Sequence, residues 1–214
     1  MTREPDAPAS EMAGLEDRQH RAALLGLPRF APLEAMRVGI EARYGPTPHV
    51  DPLDGGTGAR CLVLLETPGP RGDPPRFVSR DNPTGTARNL RRFTVEAGLD
   101  RRETLLWNAV PWTIHAPGAR NRAPRSSEIA TGLDLLPALL ALLPALRVVV
   151  LAGRVAAGAE PSLQATCPTL AVLRMPHPSP TFVATAPSVA MRIVAVLAEA
   201  AGMICRSQPS RTLP

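Results

Sequence analysis

The sequence predicts an α/β protein, folded as a three-layer α/β/α sandwich around a four-stranded, mainly parallel sheet. Four short segments are continuously apolar rather than alternating, which is typical of strands buried on both faces of a sheet. Segments with apolar residues at helical spacing separate these runs, and such an order favours parallel strands joined by crossover helices. The length of 214 residues suits one sizeable domain.

Each predicted strand ends at proline, glycine or polar residues. The strands lie within RCLVLLETPGPRG, ETLLWNAVPW, LRVVVLAG and TLAVLRM. Ligands of parallel sheets bind beyond the carboxyl ends of the strands, so the loops at those ends are the candidate site. Three polar, proline-containing loops are expected to converge there: Glu66–Gly72, Asn108–His115 and Pro176–Thr181.

Helices are predicted before, between and after these strands. They cover residues 11–25 and 31–43, TARNLRRFTVEAGL with an end at Gly98, SSEIATGLDLLPALLALLP with Ser126 or Ser127 as N-cap, a short segment from Arg154, and APSVAMRIVAVLAEAAG with Gly202 as the stop. The segment DPLDGGTGAR is interpreted as a glycine-rich linker. Residues 1–10 and 206–214 are predicted to be disordered, which leaves residues 11–205 as a single domain.

The charged residues, the cysteines and the apolar segments indicate which partners, metal sites and cell location the protein can have. All 24 basic residues are arginine and the formal net charge is +5, a balance that favours a polyanionic partner. The three cysteines are widely spaced, without a CxxC pair, so they indicate neither a disulfide framework nor a zinc or iron–sulfur site.

The N-terminus lacks an apolar signal region, and Pro137, Pro144 and Arg147 interrupt the longest apolar stretch. We therefore expect a cytoplasmic protein without a membrane span.

His177 lies in the most constrained of the three loops. It is one of four histidines and stands between Pro176 and Pro178, with Pro180 following Ser179. Helix interiors and central strands exclude proline, so this segment is predicted to be a stiff loop at the end of a strand. Such a loop can hold a histidine donor in place without reorganisation, as stabilisation of a transition state requires.

Four short motifs resemble those of the uracil-DNA glycosylase superfamily. In chain order they are LLETPGP, RFVSRDN, LLWNAVPW and HPSP, and the resemblance covers roughly residues 58–202. The first two are most similar to the GE-x-PG and Pro-Phe-Val-Gly stretches of the iron–sulfur branch. However, Leu65 replaces the glycine of GE-x-PG, Thr67 occupies the position of the catalytic Asp or Asn of other branches, and the cysteines do not match those of the cluster. The resemblance therefore implies no cluster, other metal or cofactor.

The resemblance implies roles in cleaving an N-glycosidic bond. His177 would donate to the base oxygen on which negative charge collects, and Phe77 would stack on the flipped base. Asn108 would read the base, since one amide can pair with both O4 and N3–H of uracil but mismatches cytosine. A carboxylate, Glu66 or Asp81, would stabilise the sugar cation or orient water. Glu66 is preferred because the neighbouring proline and glycine fix its place.

Other predicted site residues hold the substrate and the DNA. They are Thr67, Pro68, Gly69 and Ser179 for the substrate, and Arg80, Arg88 and Phe182 for the DNA. Arginines and loop amides would position phosphates, which carry no sequence information. Phe182 follows HPSP where the family inserts an apolar wedge, and it would replace the stack of an extruded base.

The sequence therefore predicts a monomeric DNA repair glycosylase that flips uracil out of DNA and hydrolyses its N-glycosidic bond. Because the chain has no lysine, it cannot form a lysine Schiff base, and the expected product is an abasic site without a lyase step. Two alternatives stay open: a glycosylase for hypoxanthine or xanthine, and a DNA-binding relative that lost its activity at Thr67.

Overall fold

The computed structural model of the chain describes residues 12, 14–70, 72–116, 119 and 122–206. Its strands are β1 (His49–Val50), β2 (Cys61–Leu65), β3 (Phe77–Val78), β4 (Thr104–Asn108), β5 (Val148–Ala152) and β6 (Ala171–Met175). Four of them form the main sheet in the order β4-β2-β5-β6, and every pair is parallel. The four apolar runs are thus the four strands of a parallel sheet, as predicted. The segments predicted to be disordered lie outside the described residues, apart from Arg206.

Helices cover both faces of this sheet. They are α1 (Leu15–Ala23), α2 (Ala31–Tyr44), α3 (Gly85–Glu96), α4 (Ser126–Leu133), α5 (Leu136–Ala141), α6 (Gly153–Ala157), α7 (Glu160–Thr166), α8 (Pro180–Val183) and α9 (Pro187–Arg206). Alternate residues of each strand face opposite layers, because strand side chains have a period of two. Leu62 and Leu64 belong to a core that includes residues of α2, α5 and α7. Cys61 and Val63 belong to a second core with residues of α3 and α9. The predicted three-layer sandwich is confirmed.

By length and composition alone, α9 could cross a membrane, with a mean hydropathy of 1.8 over Pro187–Cys205. Its buried residues instead form one stripe, which consists of Val189, Ile193, Leu197, Ala200, Ala201 and Ile204. This spacing is that of a helix with one face on a core. The helix packs against β5, β6 and α3, so α9 and α3 together belong to one outer layer of the sandwich.

A second, two-stranded parallel sheet was not predicted. It pairs β1 with β3, so that His49 is opposite Phe77 and Val50 is opposite Val78. Strands of two residues are too short to show a period in the sequence. The predicted glycine-rich linker is ordered and contains a 3-10 turn at Gly56–Gly58. Gly56 has φ +59°, and a Cβ there would lie 2.5 Å from the carbonyl oxygen of Arg29, so this turn requires glycine.

Several predicted helix boundaries are wrong. The helix expected over residues 126–144 is divided into α4 and α5. Pro137 lies in the first turn of α5, where a backbone N–H would have no partner within the helix, so the proline costs no hydrogen bond. The N-cap of α4 is Arg125, whose N–H donates to Glu128 at 2.7 Å, rather than Ser126 or Ser127. Gly202 does not end α9, because Ile204 beyond it is buried in the core. The short helices α7 and α8 were also missed, and α8 begins within the loop predicted to end at Thr181.

Candidate active site

The loops that follow the main strands meet at one end of the sheet, which we call the carboxyl edge. In the sheet register Leu65 is opposite Asn108, and Ala152 is opposite Met175. The residues that follow these positions therefore lie side by side. The loops after β2 and β4 are also tied together, since Ala109 N–H donates to Leu65 O at 2.8 Å and Val110 N–H donates to Glu66 O at 3.0 Å. The three predicted loops therefore follow strands at the same edge, and the loops after β2 and β4 are in direct contact.

His177 is partly buried at this edge in a defined protonation state. Its Nδ1 accepts a hydrogen bond from the Ser179 N–H at 3.1 Å. Burial lowers the pKa of His177 below its ordinary value of 6.5. Because Nδ1 is an acceptor and the ring is neutral near pH 7, the ring proton resides on Nε2. The histidine therefore presents a neutral N–H donor.

Gly153 supports the ring of His177 from the neighbouring strand. It is the first residue of α6, directly after β5, and has φ +86°. A Cβ at this position would lie 2.9 Å from the Cβ of His177. A side chain here would both strain the backbone and displace the histidine, so Gly153 is a site residue that the sequence analysis did not single out.

Glu66 places a carboxylate at the carboxyl edge. It follows β2 directly and is partly buried. Burial raises the pKa of the Glu66 carboxyl above its usual 4.5, and the positive charge of Arg154 opposes this rise. Arg154 is exposed in the first turn of α6, at the end of the strand next to β2. Arg154 thus acts on Glu66 through its charge, and the sequence analysis identified Glu66 but not Arg154.

Arg76 fixes the loop that carries Glu66. Its guanidinium donates to Gly69 O in this loop and, at 3.1 Å, to Thr113 Oγ1 in the loop after β4. Burial lowers the pKa of Arg76. One half-buried side chain therefore ties the two loops together. Of the predicted substrate contacts in the first loop, Pro68 is buried, Thr67 is partly buried and Gly69 is exposed.

Asn108 and Phe77 are more deeply buried than His177. Asn108 is the last residue of β4 and is 3% exposed. Phe77 is in β3 and is 4% exposed, with its ring 5.4 Å from the ring of His49 in a tilted arrangement. His49 is in turn held by Glu34 at 2.8 Å. The aromatic ring predicted to stack on a base is thus part of a core that reaches toward the N-terminal helices.

This chain matches the family model of the uracil DNA glycosylase superfamily over residues 59–198. The matched segment contains all four strands of the main sheet and the loops of the carboxyl edge. The chain belongs to this superfamily. A comparison with curated proteins finds no significant match. Membership indicates a DNA glycosylase, a hydrolase that acts on DNA, and the carboxyl edge is where its parallel sheet would bind a ligand.

Asp81, the alternative carboxylate of this glycosylase, lies in a buried ion-pair cluster away from the carboxyl edge. It accepts from Arg21 at 2.8 Å and from Arg101 at 3.0 Å, and its side chain is 0% exposed. Arg101 begins the 3-10 turn that leads into β4, whereas Asn108 ends this strand, so Arg101 and the cluster lie at the opposite end of β4. Glu66 is the better-placed of the two predicted carboxylates.

Arg80 does not face the surface, contrary to the phosphate contact predicted for it. It is 4% exposed, donates to Thr94 Oγ1 at 3.3 Å and lies 3.7 Å from Asp54. Asp54 is bound by Arg101 in the same ion-pair cluster, so Arg80 belongs to it as well. The buried aspartates of this cluster, Asp51, Asp54 and Asp81, require nearby cations. A phosphate could not reach this guanidinium without unfolding of the cluster.

The remaining predicted DNA contacts are accessible. Arg88 is exposed on α3, and Phe182 is 48% exposed on α8. Ser179 is the N-cap of α8 and is partly buried beside His177. Among the residues that the structure describes, no group of three or more His, Cys, Asp or Glu side chains could hold a metal ion.

Proposed function

We propose that this chain removes uracil from DNA by hydrolysing its N-glycosidic bond, and that it leaves an abasic site. The observation that carries the proposal is the protonation state of His177. Its Nδ1 accepts from the Ser179 N–H, which leaves Nε2–H as a donor at the carboxyl edge. A neutral donor held in place stabilises negative charge on a departing base without giving up its own proton.

The proposed reaction breaks the bond between C1′ of the sugar and the base nitrogen. The base departs with the bonding electron pair, and its developing negative charge is held by Nε2–H of His177. Water adds its oxygen to C1′, and the proton that it releases passes through solvent to the base anion, so that the products are the abasic sugar and the neutral base. Glu66 supplies negative charge next to the sugar cation, which is the role that carboxylates have in glycoside hydrolysis generally. The proximity of Arg154 to Glu66 favours the ionised carboxylate.

Asn108 supports uracil as the base. An amide with one donor group and one acceptor pairs with O4 and N3–H of uracil, and the amino group of cytosine mismatches it. Burial of Asn108 at the end of β4 strengthens this selection, because a wrong base would leave polar groups unpaired away from water. Thr67, at the place of a charged or amide residue in other branches, adds no charge of its own.

The test is excision from oligonucleotides that contain uracil, hypoxanthine or xanthine, followed by alkaline cleavage of abasic sites. We expect excision of uracil, and a single-turnover rate about 10²–10³ lower in His177→Ala, the scale for loss of one transition-state donor. His20→Ala is the matched control, since His20 is exposed on α1 and outside the site. Excision of another base in preference to uracil, or a loss below about threefold in His177→Ala, would contradict the proposal.

A further inference from the structure

One hydrogen bond joins helix α3 to the loop of His177. The Nδ2 of Asn89 donates to the carbonyl oxygen of Pro178 at 2.9 Å, across 89 residues of sequence. Pro178 is buried and Asn89 is partly buried. The Pro178 carbonyl belongs to the same peptide group as the Ser179 N–H, which donates to Nδ1 of His177 at 3.1 Å. Asn89 thus binds one end of the peptide group whose other end binds the histidine ring.

We propose that Asn89 is a positioning residue, which acts through the Pro178–Ser179 peptide group to hold His177 as its Nε2–H tautomer. The peptide group is planar, so its C=O and N–H turn together. The ring of Pro178 fixes φ of that residue, which leaves ψ of Pro178 as the main torsion that turns this group. A donor on the carbonyl therefore sets the direction in which the N–H points.

Helix α3 provides a rigid support for this contact. The Thr84 side chain caps the helix by accepting from the Ala87 N–H at 3.2 Å, and Leu90 and Phe93 anchor it in the core, each 1% exposed. At its first turn the helix touches the same loop, because a Cβ on Gly85 would lie 2.3 Å from Cγ of Pro180. The loop of His177 is therefore held against α3 at two points.

The consequence concerns the protonation state of His177. When the Pro178–Ser179 peptide turns away, Nδ1 loses its donor and can take a proton. The ring then exchanges between tautomers and gains a proton more easily. This inference rests on the proposed function only in that the Nε2–H is assigned to the departing base; the effect on the ring itself does not depend on the reaction.

The test compares Asn89→Ala with Asn89→Asp, which keeps the shape but has no donor when ionised. Nitrogen-15 NMR of the His177 ring should show one neutral Nε2–H tautomer in the wild type and a mixture, with a raised pKa, in both variants. Single-turnover excision of uracil should fall about fivefold to tenfold, the effect of losing roughly one hydrogen bond, while DNA affinity stays unchanged. In a His177→Ala background, Asn89→Ala should have no further effect on the rate, as expected for residues that act as a unit.

Asn82→Ala is the matched control for the NMR measurement. Asn82 Nδ2 also donates to a backbone carbonyl at 2.9 Å, but this carbonyl is that of Phe77 in β3 rather than one in the histidine loop. Its removal should leave the His177 ring signals as in the wild type. A wild-type tautomer in Asn89→Ala, or an equal loss of rate with and without His177, would overturn the proposal. If the wild type excises no uracil, the proposed function fails, while the NMR comparison still decides the role of Asn89.

Discussion

Glu66 combines partial burial with a nearby cation, and its pH dependence follows from this environment. Burial raises its pKa above 4.5, so the carboxyl is protonated at higher pH than an ordinary glutamate. Only the ionised form can stabilise a sugar cation. The rate should therefore rise with pH through a pKa above 4.5 and reach a plateau once Glu66 is ionised.

The first prediction concerns Glu66→Gln, which keeps the shape and removes the charge. The plateau of single-turnover excision should fall about 10²–10³-fold, and the limb that belongs to Glu66 should disappear from the rate profile between pH 4.5 and 8. Glu199→Gln, an exposed carboxylate on α9, is the control and should keep the wild-type profile. A Glu66→Gln enzyme with the wild-type plateau would show that this carboxylate does not act on the sugar.

The position of a site residue could be predicted from the sequence only where its local sequence fixes the backbone. His177 and Glu66 could be placed because proline and glycine fix the loops directly after strands. Arg80 and Asp81 could not, because a polar loop reads as exposed unless its ion partners are known. Those partners come from Arg21 and Arg101, which are 60 and 20 residues from Asp81 in the chain. Such pairings have no local signal in a single sequence.

The ion-pair cluster ties α1 to the segments that follow β1 and β3 and to the segment before β4. Arg21 of α1 bridges Asp51, which follows β1, and Asp81, which follows β3. Arg101, before β4, contacts both of these and Asp54, at 3.0–3.1 Å. The three aspartate side chains are 0% exposed, so their charges depend on the arginines for compensation.

The two aspartates Asp54 and Asp81 have opposite pH behaviour. Burial raises the pKa of Asp54 to about 7, although Arg80 and Arg101 oppose this. Burial would also raise the pKa of Asp81, but Arg101 and Arg21 outweigh it and hold that pKa below 3.8. The folded state thus keeps a proton on Asp54 that the unfolded chain loses, and its contribution to stability falls as pH rises from about 4 to 7. The contribution of Asp81 is present at neutral pH and is lost as pH falls below 3.8.

The second prediction compares Asp54→Asn with Asp81→Asn by urea unfolding at pH 5 and pH 8. Asp81→Asn should lower the free energy of unfolding by about 3–5 kcal/mol at both pH values, since it leaves buried arginines without their partner. Asp54→Asn should cost less at pH 8 than at pH 5, because at pH 8 the wild type must ionise this buried carboxyl. Equal costs of Asp54→Asn at the two pH values would show that Asp54 does not titrate near 7 in the folded protein.

Secondary-structure elements were predictable where their apolar pattern was long. The four main strands, α3 and α9 each contain five or more residues, enough for the apolar pattern of a strand or a helix to be clear. The strands β1 and β3 have two residues each, and their pairing depends on contacts between residues 49–50 and 77–78. The division between α4 and α5 was missed because the break falls just before Pro137. A proline can stand in the first turn of a new helix, so its presence alone does not show where one helix ends and the next begins.

At the scale of the whole molecule, the arginines form two groups: buried ones that pair with carboxylates, and exposed ones that face solvent. Arg21, Arg37 and Arg80 are each less than 10% exposed and offset buried or half-buried carboxylates. Exposed arginines instead contribute to the positive electrostatic potential around the protein, which attracts a polyanion. The net charge of +5 reflects the excess of basic over acidic residues. The basic composition is compatible with a polyanionic partner, but only the fold separates the two groups of arginines.

The third prediction uses the two ends of β5 to locate the DNA. Arg147 immediately precedes this strand and Arg154 follows it, and both are exposed, so their loss changes the net charge equally at opposite ends of the sheet. If DNA lies across the carboxyl edge, Arg154→Ala should weaken binding and reduce the slope of log affinity against log salt by about 0.9, the value for one lost phosphate contact with duplex DNA. Arg147→Ala should retain the wild-type slope.

Binding rather than rate is the measurement for this prediction, because Arg154 also opposes the rise in the pKa of Glu66 and its loss would change catalysis as well. The titrations are made in a His177→Ala background, so that the uracil duplex stays intact at each salt concentration. Phosphate contacts dominate affinity, and this background should therefore bind DNA nearly as the wild type does. Equal slopes in Arg154→Ala and Arg147→Ala would mean that the duplex is attracted by the net charge alone and does not rest on the edge that carries His177, Asn108 and Glu66.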